Sequence, residues 1–342
     1  MAFNPELLRN VLHAMRRSLS IMTSKERILQ ALRHEEPDRV PLNIWMYRDD
    51  VRADVVKRYG SINAFYDRLH IDMVTAFPTY LLTKLENSSE WTHNLSVDEA
   101  IDYPFIDPND SSLYVPIKRD VEEYGEERAV FCQTQGVFEG AFVLCGMENL
   151  LCEMVLIPDK VKKLFEKIAA WSCVYVDNTL DLGIDVPHIS DDWGQNNALL
   201  FSPKMWWELV YPYDAMIAAR AKRRCEFVSL HSDGYIYDVF DGVVKMGIDV
   251  VHPIQVSAGM DPLRVKREYG NQLTLYGTLD ITHTLPSGTL KEIEDEVKNR
   301  METLKPGGGF IFCSTHTIQP DTPLERVEFA YDVAYEHSWY NA

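Results

Sequence analysis

Short apolar runs alternate along this chain with longer segments of helical periodicity. The runs cover residues 40–45, 71–77, 129–133, 186–189, 227–230, 248–251, 273–276 and 310–312. They lack the apolar–polar alternation of a half-solvated sheet, which fits strands buried on both faces. Helical spacing predicts helices over 25–33, 160–182, 203–224, 236–246, 262–269, 290–304 and 323–334. Thr23 or Ser24 supplies an N-cap for the first of these, and Glu36-Pro37-Asp38-Arg39 breaks it before the first run. Eight runs, each leading to a helix, define the α/β class. They fit a (β/α)8 TIM barrel better than an open doubly wound sheet. Residues 81–127 fit the alternation poorly, with Pro104, Pro108 and Asn109-Asp110. They read as an insertion over the barrel mouth, with a β-hairpin as its expected form. Residues 1–22 are basic and amphipathic (Leu7, Leu8, Val11, Leu12, Met15) and read as a helical extension packing on the barrel or on a neighbouring subunit. With no internal repeat and no linker, residues 23–342 read as one catalytic barrel domain.

Composition narrows the partners. A hydrophobic content of 46% over 342 residues supports a large core. With 34 Lys plus Arg against 52 Asp plus Glu, the net charge of −18 disfavours nucleic acid and anionic membrane surfaces. The 6 cysteines (Cys132, Cys145, Cys152, Cys173, Cys225, Cys313) form no CxxC pair and read as reduced thiols of a cytoplasmic protein. No run approaches the ~20 apolar residues of a membrane span, and residues 1–22 lack the apolar core of a secretory signal. No GxGxxG or P-loop follows any run, and Gly307-Gly308-Gly309 precedes its strand, as a turn does.

In a parallel barrel the loops after the strands gather on the ligand-binding face. The run ends offer Tyr47 and Arg48, Phe77, Gln133 and Glu139, then Asp191, Asp192 and Trp193. They continue with His231 and Asp233, His252 and Gln255, Thr278 and Asp280, and finally Cys313 and His316. Buried without partners, such groups cost roughly 2–7 kcal/mol apiece, so a cluster of them points to an enzyme site. His231 and Asp233 lie two apart and face the same way on an extended strand end. With His316 they make a two-His, one-carboxylate set with an open position, acceptable to zinc or ferrous iron. The alternative leaves Asp233 on a backbone amide of the Asp-Gly turn and His231 on substrate. Asp191 and Asp192 are adjacent and point opposite ways, so one faces the pocket. That one serves as general acid/base or orients a histidine; the alternative is a helix-capping loop residue. Trp45, Tyr47 and Trp193 are candidates for an aromatic wall, and Arg48, His252 and Gln255 for further substrate contacts. For Arg48 the alternative is a surface ion pair. Cys313 is either a second-choice metal ligand or a buried strand residue.

Several segments together resemble the uroporphyrinogen decarboxylase superfamily. They are Ser24-Lys25-Glu26-Arg27 through Glu36-Pro37-Asp38-Arg39-Val40-Pro41, Asp191-Asp192-Trp193-Gly194 and His231-Ser232-Asp233-Gly234. Gly247-Ile248-Asp249-Val250 with His252-Pro253-Ile254-Gln255, and the Gly307-Gly308-Gly309-Phe310 approach to His316, complete the set. The resemblance implies a (β/α)8 barrel. True uroporphyrinogen decarboxylases carry Arg-Gln-Ala-Gly-Arg after the first strand. Here that place reads Asn43-Ile44-Trp45-Met46-Tyr47-Arg48-Asp49-Asp50, without the porphyrinogen anion clamp. The other branch holds cobamide-dependent methyltransferases, which bind zinc through His-x-Cys and a later Cys. Aligned on Thr322-Pro323, those ligands become His231-Ser232-Asp233 and His316. Harder ligands suit an oxygen substrate such as a methoxylated aromatic. The resemblance thus implies O-demethylation, with zinc held by His231, Asp233 and His316. Asp191 or Asp192 would orient a ligand or supply a proton. The methyl would pass to Co(I) of a cobamide carried by a separate corrinoid protein. Alternatives are a metal-independent decarboxylase of a non-porphyrin carboxylate, transfer from a methyl-corrinoid to another acceptor, or a non-catalytic binding protein. A homo-oligomer stays open.

Overall fold

The computed structural model describes residues 22–79, 81–83 and 92–340. The helical extension expected over residues 1–22 lies outside them but for Met22. Strands run in chain order as β1 (Met73–Ala76), β2 (Ala129–Gln135), β3 (Val186–Ser190), β4 (Gly194–Gln195), β5 (Ala198–Leu199), β6 (Ser229–His231), β7 (Val250–His252), β8 (Thr274–Tyr276) and β9 (Phe310–Ile311). Seven of them form one sheet in the order β1-β2-β3-β6-β7-β8-β9, while β4 and β5 make a separate ribbon. Every pairing in the large sheet is parallel.

The run at 40–45 supplies the remaining stave. Leu42 bridges Phe312 in parallel. Phe312 N donates to Pro41 O at 3.0 Å and Asn43 N to Phe312 O at 2.8 Å, while Asp72 N donates to Leu42 O at 2.8 Å from the other side. This segment therefore closes the barrel between β9 and β1. Pro41 has no N–H to extend the ladder, which keeps the pairing short.

Alternation along the strands sorts two cores. Phe131, Val186, Val250, Tyr276 and Ile311 point inward and fill the barrel with Trp45, Met73 and Cys313. Their neighbours Val130, Ile189, Val251, Leu275 and Phe310 point outward against the helices. Ile28 and Leu32 join the interior cluster, so helix Ser24–Leu32 plugs the barrel's base. Thr23 caps that helix in a reciprocal box with Glu26. Beside it, buried Asp72 accepts from Arg27 Nη1 (2.6 Å), Arg39 Nη1 (2.7 Å) and Leu42 N (2.9 Å).

Residues 81–127 correct the expectation of a hairpin: among the described residues there they form no strand. They hold helices Val97–Asp102 and Val115–Tyr124, with a 3-10 turn at Ser111–Tyr114 between them. Ser96 and Glu99 form a capping box, and Pro116 occupies the first turn of the second helix, where its missing N–H costs nothing. That second helix packs on β1 and β2, so it is the barrel's own connecting helix. Among the described residues no helix is long and apolar enough to cross a membrane.

Candidate metal centre

Inward alternation carries His188 and Ser190 on β3, Ser229 and His231 on β6 and His252 at the end of β7. His188 lies opposite Ser229, Ser190 opposite His231, and His231 opposite His252. A polar layer therefore crowns the apolar barrel interior. Trp45 roofs it, stacked on His252 with centroids 4.3 Å apart and lying 4.8 Å from His231.

Just beyond the strand ends, His231, Asp233 and His316 bring one ligand atom each within 4.8 Å of one another. His231 Nε2 lies 3.8 Å from Asp233 Oδ1, and His316 Nε2 lies 3.7 Å from Asp233 Oδ2. Asp192 Oδ1 stands 3.6 Å from the same His231 nitrogen. The backbone holds these groups closely. Asp233 N donates to Asp192 Oδ1 at 2.8 Å and Gly234 N to Gln255 Oε1 at 2.7 Å. Gly234 has a φ of 85°, and a Cβ there would meet Gly194 C at 2.3 Å, so the loops after β3 and β6 touch only because both residues are glycine.

These separations exceed hydrogen bonds. They match donors around one small cation, since ligands ~2.1 Å from a tetrahedral ion stand ~3.4 Å apart. Asp233 Oδ1 is buried without a hydrogen-bond partner among the described residues. Burial lowers the His231 pKa to about 4, leaving a neutral imidazole. Burial raises Asp233 to about 6, and Asp192 beside it adds to the rise. A divalent ion would relieve that crowding of acidic groups. The donor set of two imidazoles and a carboxylate fits zinc or ferrous iron.

The remaining predicted residues divide. Tyr47 stands at the rim, its Oη 3.4 Å from His316 Nε2, and burial with Asp233 nearby raises its phenol to about 12. A cavity of about 360 Å³, lined by Trp45, Tyr47, Phe77, Arg52 and Arg119, opens beside it. Arg48 is not in the cluster: its exposed side chain pairs with Asp50 at 2.8 Å. Trp193 is fully buried, donating to Asp191 Oδ2 at 2.7 Å. His252 is 0% exposed, beneath Trp45. Gln255 spends its carbonyl on Gly234 and shapes the loop. Asp191, also 0% exposed, accepts from Phe138 N (3.2 Å) and Glu139 N (2.6 Å). It therefore caps helix Val137–Cys145, while Asp192 faces the cluster as adjacent residues should. Cys313 is buried 3.5 Å from Asn43 Oδ1, and burial raises its thiol to about 12. It sits just past β9 in the barrel interior, outside the cluster.

Two further polar groups join the layer: His188, which the run ends do not include, and Glu139, which they include without assigning it a role. His188 is buried with Nδ1 2.7 Å from Ser229 Oγ and Nε2 unpartnered among the described residues. Glu139 accepts from Ser190 Oγ at 2.7 Å, and burial, with Asp192 adding to it, holds its carboxyl well above the usual range. The signal for His188 was its place two residues before Ser190 in an inward-facing series.

The fold and rim define a (β/α)8 barrel of the enzyme type, with a metal-competent cluster on its ligand face. The chain belongs to the uroporphyrinogen decarboxylase (URO-D) family, whose model matches residues 97–337. It is 23% identical over 175 residues to the uroporphyrinogen decarboxylase of Coxiella burnetii, covering 50% of this chain and 45% of that protein. The uroporphyrinogen decarboxylase of Anaeromyxobacter sp. is 25% identical over 201 residues, covering 57% and 53%. The chain thus spans about half the length of these curated relatives. A methyltransferase from Methanosarcina mazei superposes with a TM-score of 0.73 at 18% identity, covering 92% of this chain and 99% of that one. A B12-independent methionine synthase from Shewanella sp. W3-18-1 gives 0.50 at 11% identity, covering 88% and 94%. Both share the fold.

Proposed function

We propose that this protein is a methyltransferase that takes the methyl group of a methoxylated aromatic compound and delivers it to Co(I) of a corrinoid on a separate protein. The observation that carries this reading is the His231–Asp233–His316 set, gathered at the rim beside the aromatic cleft. It occupies the place that the resemblance gives to zinc ligands in the methyltransferase branch, with oxygen and nitrogen in place of sulfur. The methyltransferase named among the structural neighbours supports the same direction.

In the reaction the O–CH3 bond breaks, its electron pair stays on oxygen, and the methyl carbon bonds to cobalt. His231, Asp233 and His316 would hold zinc, which when bound supplies Lewis-acid polarisation of the ether oxygen. Trp45 covers the imidazole layer and keeps water from it, while Tyr47 and Phe77, with rings 5.2 Å apart, offer the substrate ring a wall. Tyr47 keeps its proton at neutral pH and can donate it from Oη. Asp192 fixes the Asp233 backbone through its accepted hydrogen bond.

Metal analysis of chelator-free protein tests the reading first. The wild type should hold about one zinc per chain, and His231→Ala and His316→Ala should each lose it. The wild type should then methylate Co(I) corrinoid protein from methoxylated aromatics. A wild type that binds no metal after zinc is added back would overturn the Lewis-acid reading. Corrinoid-independent CO2 release from a carboxylate would instead establish a decarboxylase, with half-buried Glu139 as a proton source. Consumption of a methyl-corrinoid would reverse the direction of transfer.

A further inference from the structure

The hydrogen-bond polarity of the buried imidazoles determines where each proton sits. His252 Nε2 lies 3.3 Å from Ser314 O, a backbone carbonyl that only accepts. His252 Nε2 therefore carries a proton. The ring is 0% exposed with no carboxylate in ion-pair range among the described residues, so it is neutral and its Nδ1 is bare. That bare Nδ1 lies 2.9 Å from His231 Nδ1. The proton between them belongs to His231, which leaves His231 Nε2 as an unprotonated lone pair. That nitrogen faces Asp192 Oδ1 at 3.6 Å and Asp233 Oδ1 at 3.8 Å, neither of which can donate as a carboxylate.

The His252 ring cannot turn away from this role. Trp45 stacks on one face at 4.3 Å. On another side Gly277 approaches so closely that a Cβ there would meet His252 Cδ2 at 2.5 Å and Nε2 at 2.6 Å. His188, His231 and His252 also bring nitrogens close together. Two nitrogens 2.9 Å apart with one proton between them form a hydrogen bond, however, and ligands around a tetrahedral ion stand wider, at ~3.4 Å.

We propose that His252 is a positioning residue: by accepting from His231 Nδ1 it holds His231 in the Nδ1–H form and aims the Nε2 lone pair at the metal position before any ion arrives. The consequence for metal affinity rests on the zinc reading above; the tautomer assignment does not. An outer partner of this kind sets ring orientation and ligand basicity, and its loss typically weakens metal binding 10–100-fold.

Full-length protein labelled with 15N-histidine, free of metal, gives the tautomers directly from long-range 1H–15N correlations, with His231→Asn identifying the signal. Wild-type His231 should show a protonated Nδ1 and a bare Nε2, and His252 a protonated Nε2. His252→Asn, whose amide oxygen can stand in for Nδ1, should keep the His231 tautomer and most of the zinc affinity. His252→Phe should release His231 toward the Nε2–H form and weaken zinc binding about 10–100-fold, read by competition with a chromophoric chelator. A wild-type His231 protonated on Nε2 would overturn the proposal, and that measurement needs no variant to fold. A folded His252→Phe with an unchanged His231 tautomer would overturn it equally. If the wild type shows the expected tautomer but binds no zinc, the metal reading fails while the positioning of His231 stands.

Discussion

Cys313 and His316 lie three residues apart at one strand end and have opposite fates. The inward turn of Cys313 puts its sulfur in the barrel interior beside Asn43, while His316 lies one loop further out among the ligand atoms. Cys313→Ala should therefore keep its full zinc content, measured as metal per chain, where His316→Ala loses it. Zinc loss in Cys313→Ala would return the thiol to the ligand set. Spacing revealed His231 with Asp233, and Asp191 opposed to Asp192, because parity of two on an extended strand fixes facing. Spacing could not place Arg48, Trp193 or His252, because past a strand end the direction of a side chain depends on which loop lies against it. His188 was hidden for a different reason. Inside an apolar run, only the register against Ser229 makes a histidine part of the polar layer. Arg48→Ala should leave the substrate KM within about twofold, as expected for an exposed ion pair. A large rise in steady-state KM would show that Arg48 reaches the substrate.

The N-terminus of helix Val137–Cys145 shows how elements are tied together. Its first amides point at two carboxyls: Val137 N lies 3.2 Å from Asp214 Oδ1, and Phe138 N and Glu139 N point at Asp191. Burial raises both acids. Asp191 reaches about 6, held back by a hydrogen bond from Asp214, while Asp214 is pushed well above the usual range by burial and by the Asp191 charge. Asp214 thus holds its proton toward Asp191, while its Oδ1 accepts from Val137 N. Because the folded pKa lies above the unfolded one, the native state holds a proton that the unfolded chain loses above pH ~4. Stability from this group is greatest in acid and falls as pH rises, by up to about 1.4 kcal/mol per unit. Asp214→Asn keeps both hydrogen bonds and removes the titration. Its stability relative to wild type should rise between pH 5 and pH 8 in urea denaturation, and parallel curves would contradict this. None of this linkage was legible in the sequence, because Asp214 and Asp191 meet only once helix Tyr211–Lys222 has packed against helix Pro158–Asp181. The helices in residues 97–124 were legible in principle, through Ser96 with Glu99 and through Pro116. The prolines of the connecting loop outweighed those signals.

At the scale of the whole molecule, the segments that carried the family resemblance divide between two ends of the barrel. The His231, Asp233 and His316 segments build the rim, whereas Arg27, Asp38 and Arg39 build the base. There Arg27 donates to Asp38 at 2.6 Å and 2.8 Å and to Asp72, and Arg39 grips Asp72 with two nitrogens. Asp72 is 0% exposed and also receives Leu42 N, so one carboxylate fastens the plug helix and the closing stave to β1. The stave's own pairing is short: Leu42 bridges Phe312 on one side and accepts from Asp72 N on the other. Removing the acid leaves two buried guanidiniums without their shared counter-charge, a loss on the order of 3–5 kcal/mol. Asp72→Ala should show that loss in chemical denaturation, and the amides of Asn43 and Phe312 should lose hydrogen-exchange protection before those of β2 and β3. Trp45 lies on the same stave three residues past Leu42, roofing His252 and His231. The base mutation should therefore also weaken zinc binding at the far end without touching a ligand. If Asp72→Ala destabilises the barrel yet leaves zinc affinity intact, the Trp45 roof is held by its own contacts, chiefly Tyr276 Oη at 2.6 Å from Trp45 Nε1, and not by closure of the stave.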